Sequence, residues 1–98
     1  MLRFKRMDGA RIAIVGDYNA EYTGHRDTCD ALVTGGRRLG LAVSYEWLAT
    51  DRVAAVGVSV LEGFDGIWAA PGSPYRSLDG ALAAIRYARE RDRPFIGT

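Results

Sequence analysis

The run ARIAIVG at 10–16 constrains this chain more than any other stretch. It is apolar on both faces of an extended segment, and Gly16 closes it. A strand with two apolar faces belongs inside a parallel sheet, where helices cover both sides. The stretch after it suits that placement. GHRDTCDALVTGGRRLG (24–40) reads as a helix with Leu32 and Leu39 on one side and Thr28, Gly35 and Gly36 filling the same stripe. Gly36 and Gly35 weaken the helix but permit close approach to a sheet. Gly40 fits its C-terminal stop.

The next segment, LAVSYEWL (41–48), alternates. Leu41, Val43, Tyr45 and Trp47 point one way and Ala42, Ser44 and Glu46 the other, which places this strand at a sheet edge. TDRVAAVGVSVLEG (50–63) holds one or two short helical turns, interrupted at Gly57. FDGIWAA (64–70) reads as a second buried strand and runs into the loop PGSPYRS (71–77), whose Ser77 is placed to cap a helix. In that helix Leu78, Ala81, Leu82, Ile85 and Ala88 form an apolar stripe, while Arg86, Glu90 and Arg91 face water. PFIGT (94–98) reads as a further buried strand. Strands alternating with helices predict an α/β fold, a flavodoxin-like three-layer sandwich with a parallel sheet in the order 2-1-3-4. Ligands in such folds bind beyond the carboxyl ends of the strands.

With 98 residues the chain forms one small domain at most. A net charge of +1 offers no long-range field for nucleic acid or an anionic membrane, so neither is expected as a partner. The arginines between Arg76 and Arg93 are interleaved with Asp79, Glu90 and Asp92, which is the pattern of a solvated helix face. A single cysteine, Cys29, excludes an internal disulfide and a multi-cysteine zinc site and suits a reducing compartment. The N-terminal MLRFKRMDGA lacks the apolar run of a signal peptide, and no stretch reaches the ~18 apolar residues of a membrane span. A cytoplasmic protein is expected, with residues 1–9 as a loose leader. Neither G-x-G-x-x-G, a P-loop lysine pattern nor G-x-S-x-G occurs, so no nucleotide cofactor is expected and Ser73 is a poor hydrolase nucleophile.

Candidate site residues gather in two loops. PGSPYRS precedes a helix N-terminus and is stiffened by Pro71 and Pro74. Such a bend can aim backbone N–H groups at a developing oxyanion or a carboxylate, with Arg76 adding a charge-assisted contact. It also reads as an ordinary tight turn capped by Ser77. DYNAEYTGH (17–25) brings Asp17, Tyr18, Asn19, Tyr22, Thr23 and His25 to the same edge. That set suits a polar ligand, and equally a solvated loop. His25 and Cys29 lie four apart on one helix face. They read either as a Cys-His pair or as a small apolar Cys packed near a His at the helix start. The second is favoured, because nothing beyond His25 would lower the thiol pKa, and two ligands are too few for zinc.

RIAIVGDYN, TGHRDTCDAL, YEWLATD and FDGIWAAPGSPYRSLDGALAAIRYARERDRPFIGT together resemble the class I glutamine amidotransferase domain. Within that family they resemble the glutaminase domain of CTP synthase and its small stand-alone homologues. The resemblance spans residues 11–98 and is most specific over 64–98. It implies a flavodoxin-like fold and hydrolysis of glutamine to glutamate and ammonia by a cysteine nucleophile, assisted by a histidine and a glutamate. By position, Gly72 and Ser73 would supply one oxyanion-hole N–H, and Pro74 would border the glutamine pocket, with Tyr75, Arg76, Tyr18, Asn19 and His25 as substrate-binding candidates. The loop departs from the family pattern. CTP synthases usually carry Pro-Gly-Gly-Phe-Gly where this chain has Pro71-Gly72-Ser73-Pro74-Tyr75, one residue shorter before Arg76.

In the family the nucleophile follows the strand that here ends FIGT, so the resemblance places it directly after Thr98. Residues 10–98 therefore correspond to the N-terminal half of such a domain, without its catalytic side chains. The expected partners are the remaining half of the domain, glutamine or a similar small polar ligand, and an ammonia-accepting synthase domain or a second copy of the chain. Taken alone, the segment is expected to fold poorly and not to be an enzyme. The alternative is a degenerate amidotransferase-like module that binds or regulates without catalysis. A weaker third reading is a phosphorylated ligand at the Ser77 helix start.

Overall fold

The computed structural model describes residues 9–71 and 75–97. Along them run β1 (Gly9–Val15), α1 (Thr23–Leu39), β2 (Ala42–Leu48), α2 (Thr50–Val56), a 3-10 turn (Val58–Leu61), β3 (Gly66–Ala69), α3 (Leu78–Glu90) and β4 (Phe95–Gly97). The expected leader, the loop residues Gly72, Ser73 and Pro74, and Thr98 fall outside the described residues, except that Gly9 already belongs to β1.

All strand pairs are parallel, in the order β2-β1-β3-β4, so the α/β, flavodoxin-like sheet and its order are as the apolar pattern predicts. The doubly apolar run lies in the middle. Ala13, Ile14 and Val15 are at most 1% exposed. Burying a side chain such as Ile14 contributes roughly 2 kcal/mol. The alternating strand β2 forms one edge, with Ala42, Ser44 and Glu46 exposed.

Helix α2, the 3-10 turn and α3 cover one face. There Val15, Leu48, Val53, Leu61, Ile67 and Ala84 form the centre of the core. Helix α1 covers the other face over β2. Gly36 makes its close approach: a Cβ there would stand 2.7 Å from Val43 Cγ2, whereas one at Gly35 would meet nothing within 4 Å. The helix ends at Gly40, in the left-handed region at φ 70°, with Gly40 and Leu41 donating to the carbonyls of Arg37 and Gly36. Close contact at Gly36 turns the helix so that Leu39 is 74% exposed, against the expected stripe.

A similar correction applies to α3. Its buried residues are Gly80, Ala81, Ala84, Tyr87 and Ala88, while Leu78 and Leu82 are 61% and 47% exposed. The helix is set by its crossing with α2, where Gly80 lies against the Thr50 carbonyl. A Cβ at that position would collide with the oxygen. Strand β4 is the outer strand of the sheet, and Phe95 and Ile96 are 38% and 53% exposed. Among the described residues no helix is long and apolar enough to cross a membrane.

Candidate functional site

The loops after β1, β2 and β3 meet at the carboxyl end of the sheet because parallel strands all point there. Asp17, two residues beyond β1, is their hub. Its Oδ1 accepts the Thr50 N–H at 2.9 Å, and its Oδ2 accepts the Thr50 hydroxyl at 2.9 Å and the Arg76 N–H at 2.8 Å. Thr50, fully buried, in turn accepts the Ser77 N–H at 2.9 Å through Oγ1. Burial acts to raise the Asp17 pKa, but the donors from Arg76 and Thr50 and the Arg76 charge outweigh it, holding the carboxyl below its ordinary value.

Ser77 caps α3 as expected, its Oγ accepting the Gly80 N–H at 3.0 Å. The donors at this helix start therefore serve the protein's own oxygens: Arg76 to Asp17, Ser77 to Thr50 and Gly80 to Ser77. An external phosphate at that point would compete with all three.

His25 occupies the first turn of α1 and is 5% exposed. Its Nδ1 accepts the Asn19 N–H at 3.0 Å, and its Nε2 lies 2.8 Å from the Pro71 carbonyl. Only the tautomer with the proton on Nε2 makes both bonds. Tyr18 stacks on the ring at 5.9 Å, Tyr22 meets it edge-on at 4.8 Å, and Trp47 lies 4.9 Å away. Asn19 closes the local turn, its Oδ1 accepting the Glu21 N–H at 3.0 Å.

At the far side of the β3–α3 loop, the Tyr75 hydroxyl donates to the Ala70 carbonyl at 2.9 Å. Burial first, and then the Asp17 carboxylate, raise the Tyr75 pKa. The Arg76 guanidinium reaches Asp51 at 3.9 Å with both side chains largely exposed, a contact of little energetic weight. The structure thus gathers Tyr18, Asn19, His25, Tyr75 and Arg76 at one edge. Gly72, Ser73 and Pro74 lie outside the described residues.

Cys29 stands apart from this group. It is half-buried and its Sγ accepts the Trp47 indole N–H at 3.3 Å, the packed arrangement rather than a pair with His25. The structural weight of Asp17 and Thr50 was not singled out from sequence. The only available signal was an Asp directly after the Gly that ends a central strand. Its partners are 33 and 59 residues away.

No family model matches the chain. Curated relatives do. CTP synthase of Paracoccus denitrificans is 32% identical over 98 residues, covering 99% of this chain and 18% of that protein. CTP synthase of Thermococcus gammatolerans is 36% identical over 96 residues, with 97% and 18% covered. CTP synthase of Pyrococcus furiosus is 37% identical over 86 residues, with 88% and 16% covered. The chain spans less than a fifth of the length of these relatives. Over nearly its whole length, then, the chain is similar to a segment of CTP synthase.

Proposed function

We propose that this segment forms part of a domain that hydrolyses glutamine to glutamate and ammonia, and that it contributes the oxyanion loop. In this reading a cysteine thiolate directly after Thr98 attacks the side-chain amide carbon. The carbonyl oxygen becomes an oxyanion held by one main-chain N–H from the loop, at Gly72 or Ser73, and by that of the residue after the cysteine. The C–N bond then breaks and ammonia leaves with an added proton. Water cleaves the resulting thioester, releasing glutamate and restoring the thiol. Pro74, Tyr75, Arg76, Tyr18 and Asn19 border the glutamine pocket. The ammonia passes to a synthase domain or a partner subunit.

One observation carries the proposal. Ala69 of β3 pairs with Gly97 of β4 in parallel register. The chain leaving β4 and the chain entering PGSPYRS therefore emerge side by side, about 5 Å apart at the level of the strands. A nucleophile following one strand and amides following the other would share one substrate carbonyl.

The test is ammonia release from glutamine by the longest natural form of the protein that carries this segment. Release is expected, and replacing the cysteine expected after Thr98 by alanine should abolish it. A form that carries the cysteine yet releases no ammonia sinks the reading. The shortened PGSPYRS loop favours a second reading, a non-catalytic module. That module would bind glutamine without turnover, or carry another residue after Thr98.

A further inference from the structure

Both ends of the β3–α3 loop are held by the segment that follows β1, at Asp17 in the loop and at His25 in the first turn of α1. At the entry, His25 Nε2 lies 2.8 Å from the Pro71 carbonyl. At the exit, Asp17 Oδ2 accepts the Arg76 N–H at 2.8 Å. The two holding residues are themselves fixed. His25 is buried, and its second nitrogen accepts the Asn19 N–H. Asp17 is anchored by both the N–H and the hydroxyl of buried Thr50. Neither bond is a helix or sheet contact, and each joins residues more than forty apart in sequence. They lie outside the β1–β3 and β3–β4 ladders.

We propose that His25 and Asp17 are positioning residues that set how the β3–α3 loop presents its main chain, His25 from the entry and Asp17 from the exit. A peptide group is planar, so holding the Pro71 carbonyl fixes the plane leading into the loop. A buried ring bonded through both nitrogens does not swing out to meet a substrate, so His25 acts through Pro71. The inference rests on the reading that this loop's amides serve an oxyanion.

Three forms of His25 separate the roles. His25→Gln keeps one donor for Pro71 and one acceptor for Asn19. His25→Leu keeps neither. Hydrogen exchange over residues 70–77, with β1 amides as the internal reference, reports loop order directly. His25→Leu should speed exchange there about tenfold or more, and His25→Gln should restore it. In the glutaminase assay kcat should fall roughly tenfold to a hundredfold in His25→Leu with KM little changed, because displaced amides lose oxyanion contact rather than ground-state binding. Asp17→Asn should loosen the Arg76 end in the same exchange measurement.

Unchanged loop exchange in His25→Leu, or His25→Gln behaving like His25→Leu, overturns the proposal. If His25→Leu unfolds globally, the β1 amides exchange as well, and the wild-type protein decides. A scalar coupling across the hydrogen bond from the His25 Nε2 proton to the Pro71 carbonyl carbon supports the clamp, and an Nε2 without a proton refutes it. Absence of ammonia release in the wild type would remove the glutaminase reading while leaving the exchange result to judge the clamp.

Discussion

At the carboxyl end of the sheet, buried Thr50 and His25 and half-buried Asp17 tie three junctions together, whereas at the amino end the main chain and one exposed arginine do so. Asp17, Thr50 and His25 join the loops after β1, β2 and β3. At the opposite end Arg11 donates its N–H to Asp65 at 2.7 Å and its guanidinium to the Gly63 carbonyl at 2.8 Å, with the same group 4.7 Å over the Phe64 ring. A shallow groove between β1 and β2 lies at that end, bordered by Gly9, Arg11, Ala42 and Ser44. Buried polar groups lose hydration on folding and are tolerated only when bonded, so the bonds made by buried Thr50 and His25 hold their geometry strictly. Exposed bonds exchange with water at little cost. The comparison therefore predicts a rigid, sensitive carboxyl end and a tolerant amino end.

The largest effect is expected where the carboxyl end is tightest. Gly80→Ala drives a Cβ into the Thr50 carbonyl and pushes α3 off α2. It should destabilise the protein by about 3 kcal/mol in urea unfolding. A loss near zero would mean that the helices are not held at this crossing, and the comparison would lose its foundation.

Acid sharpens the contrast next. The folded pKa of Asp17 lies below its ordinary value, so its contribution is fully present above the unfolded value of about 3.9 and drains away as pH falls through the depressed folded value. Asp17→Asn lacks that contribution at every pH. Its unfolding free energy should lie about 2 kcal/mol below wild type at neutral pH. The gap should narrow as both are acidified through and below the ordinary aspartate range. A gap constant with pH would show that the carboxylate charge is not what ties the loops.

The smallest change belongs at the amino end. Arg11→Ala removes an exposed hydrogen bond and a cation–ring contact and should cost no more than about 1 kcal/mol. It should leave hydrogen exchange over 70–77 as in wild type. A loss as large as that of Asp17→Asn would erase the distinction between the two ends.

The order of the sheet was legible in the local pattern. A run apolar on both faces had to lie inside, as Ala13 to Val15 do, and a strand with one polar face had to lie at an edge, as β2 does. The helices were legible as elements but not in their rotation. Leu39, Leu78 and Leu82 look like core residues by spacing, yet glycines at 36 and 80 let the helices approach so closely that smaller side chains occupy the interface. The candidate site was legible as a region and only partly as a mechanism. PGSPYRS and DYNAEYTGH stand out by composition, but nothing local marks the bond from His25 to Pro71.

What the sequence by itself determined is the element order, the parallel sheet and the edge at which the loops after the strands gather, because hydrophobic periodicity and strand polarity are properties of neighbouring residues. Tertiary structure alone decided that Asp17 and His25 hold the β3–α3 loop at its two ends. Hydrogen bonds between residues 46 and 59 positions apart depend on how the finished sheet brings its loops together, and no short-range pattern encodes that meeting.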